Sequence, residues 1–330
     1  MQKSLKILPN SSSTSTLPTI IPRCLVANLK SSAALSKSKA DFFILKFSKW
    51  FSNWNHDVLQ QPNTQIFVQD GRAFLRWSNK RYDVIIMEPM SPLQAGVVNL
   101  YSKEFYDLAL NHLKQDGILV QWLPLHLVGR DDARLITRTF KNVFSEFSVW
   151  NSFLTRIVLL VGSHEKMVID KNLFDKRMEN IELKKVAEEM KVFSFLDFAD
   201  FFLSDGDHLS GFLESVGEIT DDKPLLEFSH VSLLPPMKWE TDESFLNMLR
   251  HRINQKPPVE GLAPQEQDAF DRGFKLRTAQ RLGVFSRRYQ GPGVEAFSSR
   301  NYFSGLDAMS IYFDSYQKPS VHLNGAKWQK

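Results

Sequence analysis

The sequence predicts an α/β protein built on a partial parallel sheet, followed by a mainly helical C-terminal extension. Three observations carry this. Tyr82-Asp83-Val84-Ile85-Ile86-Met87 is an apolar run after a polar entry, the pattern of a strand buried on both faces of a parallel sheet. A helix-spaced segment from Lys103 to Leu113 and a second apolar run, Ile118 to Trp122, follow with short links, which implies a right-handed crossover. The chain has 15 Gly among its 330 residues and the first is Gly71, so no glycine-rich phosphate or dinucleotide loop lies in the first 70 residues.

Taken in order, residues 1–40 hold no Asp or Glu and a Ser/Thr-rich run, Ser11 to Thr16, and are expected to be disordered. Arg23 is their only arginine, which argues against a transit peptide. An aromatic stretch follows, with Phe47, Trp50, Phe51 and Trp54 read as core, and a helix is expected from about Lys46 through Leu59, ending at Pro62. Gln65-Ile66-Phe67-Val68 is a short strand closed by Asp70-Gly71, and Arg72 to Trp77 a short helix whose Phe74, Leu75 and Trp77 are available to the core. After the Tyr82–Met87 strand, Ser102 is an N-cap for the helix from Lys103. Gln115-Asp116-Gly117 is a turn with Gly117 in the left-handed conformation. Asp131 to Val143 form an amphipathic helix, and Phe147–Trp150 and Ile157–Val161 an antiparallel pair at the sheet edge. Beyond Gly162 the chain turns helical, at Leu183–Met190 and within Phe193–Leu203. Thr220 to Phe228 read as a polar turn and a short strand. The expected division is 1–40, 41–235 and a helical extension from 236 to 330, beginning after Pro235-Pro236.

Composition excludes several functions. Lys+Arg 41 against Asp+Glu 37 gives a net charge of +4, which is no nucleic-acid footprint. The acid-free N-terminus is the sole support for nucleic-acid binding, and none is expected. The lone Cys24 excludes an internal disulfide framework and any Cys-cluster zinc site, and His56, His112 and His126 share no ligand spacing, so no metal is expected. No apolar run reaches the roughly 18 residues of a membrane span.

In open α/β sheets ligands bind beyond the carboxyl ends of the strands. Asp70 and Glu88 stand at two such ends. Asp70 followed by Gly71 can accept hydrogen bonds from a nucleobase or ribose, or it can simply cap the helix that follows. Glu88 before Pro89 can bind or deprotonate an amine, or be a solvated loop acid. His126 lies just past the end of its strand and reads as a pocket wall or a satisfied loop residue rather than a catalytic base. Asp221 and Asp222 are an acidic pair that a turn alone would explain.

The ordered series Phe51 to Leu59, Asp70-Gly71-Arg72-Ala73-Phe74-Leu75, Tyr82 to Pro89, Ala95-Gly96-Val97, Leu100 to Tyr106, Gly117 to Leu125 and Thr220 to Phe228 resembles the spermidine synthase-like (polyamine aminopropyltransferase-like) family. It is most similar to the bacterial branch fused to a membrane transporter-like segment. The resemblance covers about Phe42 to Phe228. It implies a seven-stranded Rossmann-like sheet of the S-adenosylmethionine-dependent transferase type. It also implies decarboxylated S-adenosylmethionine, or S-adenosylmethionine, as co-substrate, with Asp70 and Gly71 on the adenine side. Glu88 falls where the family has an aspartate that orients and deprotonates the attacking amine. Ser91 stands where true aminopropyltransferases have a second acid, and Ser91, His126, Asp221 and Asp222 are the substrate-side candidates. An amine substrate, a homodimer and a cytoplasmic location are what such a family member would have.

One departure is specific. The family's first strand ends in a glycine-rich loop, and no glycine precedes Gly71. Leu25-Val26-Ala27 and Phe43-Ile44-Leu45 are the remnants available for the first two strands. The sheet is therefore expected to lack a normal first strand, leaving a gap between the Tyr82–Met87 and Ile66–Val68 strands, and the chain reads as a truncated or degenerate family member. Besides aminopropyl transfer, methyl transfer and a non-catalytic, partner-binding remnant are the alternatives.

Overall fold

The computed structural model describes residues 6–9, 24–27, 46–52, 57–62, 64–67, 69–89, 92, 96–152, 157–228, 244–245, 248–249, 251–252 and 255–288. The chain divides into two compact units. The first comprises Met1–Ser148, Ile157–Lys166 and Leu213–Pro236, and the second Val149–Arg156, Met167–Phe212 and Met237–Lys330.

The first unit is a sheet flanked by helices. Its elements are β1 (Lys6–Pro9), β2 (Cys24–Ala27), β3 (Thr64–Phe67), α1 (Gly71–Trp77), β4 (Tyr82–Met87), α2 (Lys103–Asn111), β5 (Leu113–Pro124), α3 (Arg130–Val143), the first half of β6 (Glu146–Asn151), and β7 (Ile157–Ser163). The strands lie in the order β3-β1-β2-β4-β5-β7, with β6 next to β7. β2 is parallel to β4 and β4 to β5, whereas β1 is antiparallel to both β2 and β3. It follows that β2, β3, β4 and β5 share one direction. β7 is antiparallel to β5.

The expected gap beside β4 is filled. Leu25-Val26-Ala27 belongs to β2, paired residue for residue with Ile85 to Met87, and β1 bridges from β2 to β3. Both strands fall inside the stretch expected to be disordered. The physical reason is that a central strand left unpaired exposes a full row of backbone donors and acceptors. Phe43-Ile44-Leu45 lies outside the described residues.

Other expectations shift locally. The helix from Lys46 through Leu59 is not continuous: short 3-10 turns occupy Ser48–Phe51 and Val58–Gln60, and Asp57 between them has φ +52°. Phe47, Trp50 and Phe51 are exposed, not core, and Trp54 lies outside the described residues. Trp77, at the last turn of α1, is 88% exposed while Phe74 and Leu75 are buried. The Gln115–Gly117 turn is absent, because β5 runs unbroken from Leu113. A bulge replaces it: Tyr82 pairs with Leu113 but Val84 with Ile118. Gly117 is not left-handed, but a Cβ there would stand 2.7 Å from the Tyr82 carbonyl oxygen, so close approach explains the glycine. The Ile157–Val161 strand is interior, between β5 and β6, rather than an edge. Leu225–Phe228 is a 3-10 turn instead of a strand, since Pro224 lacks a donor for a ladder.

The core of the first unit gathers Ile85, Met87, Leu119 and Leu123 from the sheet against Phe105, Tyr106, Ile136 and Phe140 from α2 and α3, all essentially without solvent contact. Phe140 and Phe144 stack at 4.5 Å, and Tyr106 meets Phe140 edge-on at 5.0 Å.

The second unit is mainly helical, as the sequence suggests for the extension. It holds the second half of β6, β8 (Ile169–Asp170), α4 (Lys171–Met178), α5 (Ile181–Glu189), α6 (Phe195–Ala199), β9 (Phe202–Asp205), β10 (Val259–Glu260) and α7 (Pro264–Arg288). β8 and β10 pair in parallel. Buried Phe195, Phe270 and Phe274 form its aromatic centre.

Candidate active site

Because β2 to β5 share one direction, their carboxyl ends lie along one edge. Phe67, Lys6, Ala27, Met87 and Gln121 are successive register partners across β3, β1, β2, β4 and β5. Asp70 follows that row on one side and Glu88 directly on the other, so the topology sets both acids on the edge where such sheets bind ligands.

Glu88 leaves a buried strand and reaches the surface. Partial burial raises its carboxyl above the ordinary glutamate value, because the ionised form is under-hydrated there. Pro89 beside it is buried and denies the backbone any donor.

Asp70 is the N-cap of α1. Its backbone is extended (φ −62°, ψ 131°), and Oδ1 accepts the Ala73 N–H at 2.7 Å. Such a cap contributes about 1 kcal/mol. It is thus the capping role that the geometry displays, and Gly71 is the buried first residue of the helix. Asp70 also lines an open cleft of about 660 Å³ with Arg72, Arg76, Trp77, Gly96, Asn99 and Asp221 among its walls. Glu88 and His126 are not among the lining residues. His126 is exposed in a 3-10 turn, Leu125–Leu127. Ser91 lies outside the described residues.

The acidic pair divides into two roles. Asp222 is fully exposed, accepting the Thr220 hydroxyl at 2.6 Å within the turn. Asp221 reaches across 149 positions of sequence to Arg72, which it holds through both oxygens at 2.8 and 2.5 Å. It also accepts the Ser102 hydroxyl at 2.7 Å. Burial works against its charge, but the hydrogen bonds from Arg72 and Ser102 outweigh it and hold the carboxyl below the ordinary aspartate value. Its oxygens are therefore already engaged by the protein.

Sequence reasoning passed over Arg72. A signal was present: a cation in the first turn of a helix opposes the macrodipole, so Arg72 at the second position of α1 needs a partner elsewhere. Arg72 also donates to the Asn99 carbonyl at 2.9 Å and lies 5.9 Å from the Phe105 ring centroid. Behind the edge, Tyr101, Tyr106 and Gln121 are fully buried, and burial pushes both phenol groups up. Among the described residues no group of three His, Cys, Asp or Glu could hold a metal ion, and no helix is long and apolar enough to cross a membrane.

Parallel β2 to β5 with reversed β7, and acids after β3 and β4 at the carboxyl edge, define a Rossmann-like α/β fold. Residues 38–169 match the spermine/spermidine synthase domain, and over this stretch the chain is spermidine synthase-like. Polyamine aminopropyltransferase 2 of Pseudomonas aeruginosa is 30% identical over 116 residues, 33% of this chain and 33% of that protein. The polyamine aminopropyltransferase of Clostridium perfringens is 29% identical over 126 residues, 38% of this chain and 43% of its own length. These matches span less than half the length of the relatives. A crystal structure of spermidine synthase in complex with the transition state analogue AdoDATO is 19% identical, with a TM-score of 0.38, covering 52% of this chain and 56% of that one.

Proposed function

We propose that the chain is an aminopropyltransferase-type unit that joins an amine to the aminopropyl group of decarboxylated S-adenosylmethionine. The observation that carries this is Glu88: a strand-end carboxyl, lifted by partial burial, at the ligand-binding edge of a spermidine synthase-like sheet. An ammonium group is no nucleophile until it loses a proton. Glu88 attracts the cationic amine and takes that proton. The freed lone pair then forms an N–C bond to the carbon beside the sulfonium, the C–S bond breaks, and its electron pair stays on sulfur as a neutral thioether. A base above the ordinary glutamate value is better matched to this transfer than an exposed one. Asp70 and Gly71 at the head of α1 serve the nucleoside side, where the second Asp70 oxygen and the bare Gly71 backbone suit an adenine or ribose.

The test is release of 5′-methylthioadenosine from decarboxylated S-adenosylmethionine with putrescine as acceptor. Glu88→Gln is expected to lower turnover by about 10²–10⁴-fold. The wild-type rate should fall as pH drops through the Glu88 titration, above the range of an ordinary glutamate. Turnover that survives Glu88→Gln unchanged would overturn the reading.

A second reading rests on a different observation. No glycine precedes Gly71, so β2 is not followed by a glycine-rich loop. This favours a non-catalytic member of the fold, for which neither protein would release any product.

A further inference from the structure

Residues 1–56 carry eight Lys or Arg and a single acid, Asp41, so the rest of the chain is net acidic although the whole is +4. Such asymmetry along a chain points to a polyanionic partner for the basic part. The structure describes the end of this stretch. Ser48–Phe51 is a 3-10 turn with no buried residue. Phe47, Trp50 and Phe51 are 43%, 79% and 58% exposed, and Lys46 and Lys49 beside them are exposed as well. No acid lies between Asp41 and Asp57.

Single apolar side chains on a surface are ordinary, but three exposed aromatic rings within five residues are not. The turn fixes how they stand. At three residues per turn, Lys46 and Lys49 fall in one row and Phe47 and Trp50 in the next. Phe47 meets Trp50 edge-on, with 5.0 Å between centroids and 74° between planes. Rings set this way offer no parallel faces on which successive bases of a single-stranded nucleic acid would stack. A four-residue turn also presents far less than the ~800 Å² per partner of a specific protein interface. A lipid surface requires neither. There Phe and Trp settle between headgroups and acyl chains, and the indole N–H keeps a polar partner. Lysine stems extend beside them, so that the ammonium reaches the phosphate or carboxylate of an anionic headgroup.

We propose that the turn at Ser48–Phe51 is an interfacial contact for an anionic lipid bilayer. Trp50 and Phe51 enter the headgroup region, and Lys46 and Lys49 pair with its negative charge. The contact is peripheral and reversible, and it does not depend on the transferase reading.

The full chain is sedimented with vesicles of equimolar phosphatidylserine and phosphatidylcholine, and with vesicles of phosphatidylcholine alone. Binding is expected to the first and not to the second, and it should weaken as salt is raised. Lys46→Ala and Lys49→Ala should each reduce partitioning about fivefold, and Trp50→Ala about tenfold. Brominated phosphatidylcholine in the anionic vesicles should quench wild-type tryptophan fluorescence. Trp50→Phe, which still binds, should lose most of that quenching. Phe193→Ala, at a position 69% exposed but outside the basic stretch, is the control and should bind like wild type. All these side chains are exposed, so the urea midpoints should match that of wild type. No sedimentation with the anionic vesicles overturns the proposal, as does undiminished sedimentation of the Lys46→Ala/Lys49→Ala/Trp50→Ala variant. Salt-sensitive binding to polyuridylate RNA, with no lipid quenching, would assign the stretch to nucleic acid and overturn it equally.

Discussion

Each unit of the molecule has an arginine–aspartate system, and the two differ in what surrounds them. In the first unit Arg72 and Asp221 meet at 13% and 37% side-chain exposure. In the second, Asp200 faces three arginines. It pairs with Arg252, which has no solvent exposure, with Arg281 at 2.5 Å, and with Arg277 at 3.8 Å. Arg252 also stacks 3.9 Å from the Phe274 ring centroid, and Arg277 pairs with Asp197 at 2.6 Å. Burial opposes the Asp200 charge, but Arg252 and Arg281 outweigh it and keep the carboxyl low. Burial likewise depresses Arg252 to about 10. The same chemistry thus serves two ends. The dry cluster is committed to holding α6, the turn at Arg252 and α7 together. The wetter pair contributes less energy and holds Arg72 where it donates to the Asn99 carbonyl, in the wall of the cleft that Asp70 lines.

The comparison breaks most readily at Asp200. Asp200→Asn strands buried Arg252 without its counter-charge and should destabilise the second unit by about 3–5 kcal/mol, read by urea unfolding. The pH sign follows from the lowered carboxyl. Its contribution is complete above the unfolded aspartate value and is lost as pH falls through the still lower folded value. Retention of wild-type acid stability in Asp200→Asn would contradict the assignment.

Asp221→Asn should cost about 1 kcal/mol, less than its hydrogen bonds suggest because water screens the pair. Its acid dependence has the same sign as that of Asp200. A loss as large as that of Asp200→Asn would erase the contrast between the units. Asp70→Ala removes the α1 cap and should cost about 1 kcal/mol, whereas Asp70→Asn, which still caps, should leave the urea midpoint almost unmoved.

Glu88→Gln should shift stability the other way. The raised folded value means ionisation disfavours the folded state, so its contribution is present below the ordinary glutamate value and lost as pH rises through the folded one. At neutral pH the Gln variant should unfold at slightly higher urea than wild type. Asp222→Asn, on a fully exposed turn, should change nothing measurable and serves as the control.

The sequence made the local elements legible where periodicity and caps agree. β4 begins and ends where its apolar run does, and Ser102 caps α2 by accepting the Phe105 N–H, though at a long 3.3 Å. What it hid were contacts between distant positions. Nothing local to Thr220-Asp221-Asp222-Lys223 says that one aspartate turns inward to Arg72 and the other to water. Nor does an acid-free, Ser-rich start disclose that two four-residue runs complete a sheet, since pairing depends on the empty place beside β4 rather than on the propensity of the run itself. Gly117 resembles a turn glycine because glycine most often marks a turn, but its cause is proximity to the Tyr82 carbonyl. At the site, the edge positions of Asp70 and Glu88 were legible from strand endings. The engagement of Asp221 by Arg72 was not.

The central claim is that the carboxyl edge of this sheet receives a nucleoside-linked sulfonium at Asp70–Gly71. Calorimetric titration of the folded chain with decarboxylated S-adenosylmethionine tests it most directly. Saturable heat in wild type, weakened in Asp70→Ala and retained in Glu88→Gln, is the predicted result. No binding heat from a chain whose urea transition is intact would contradict it.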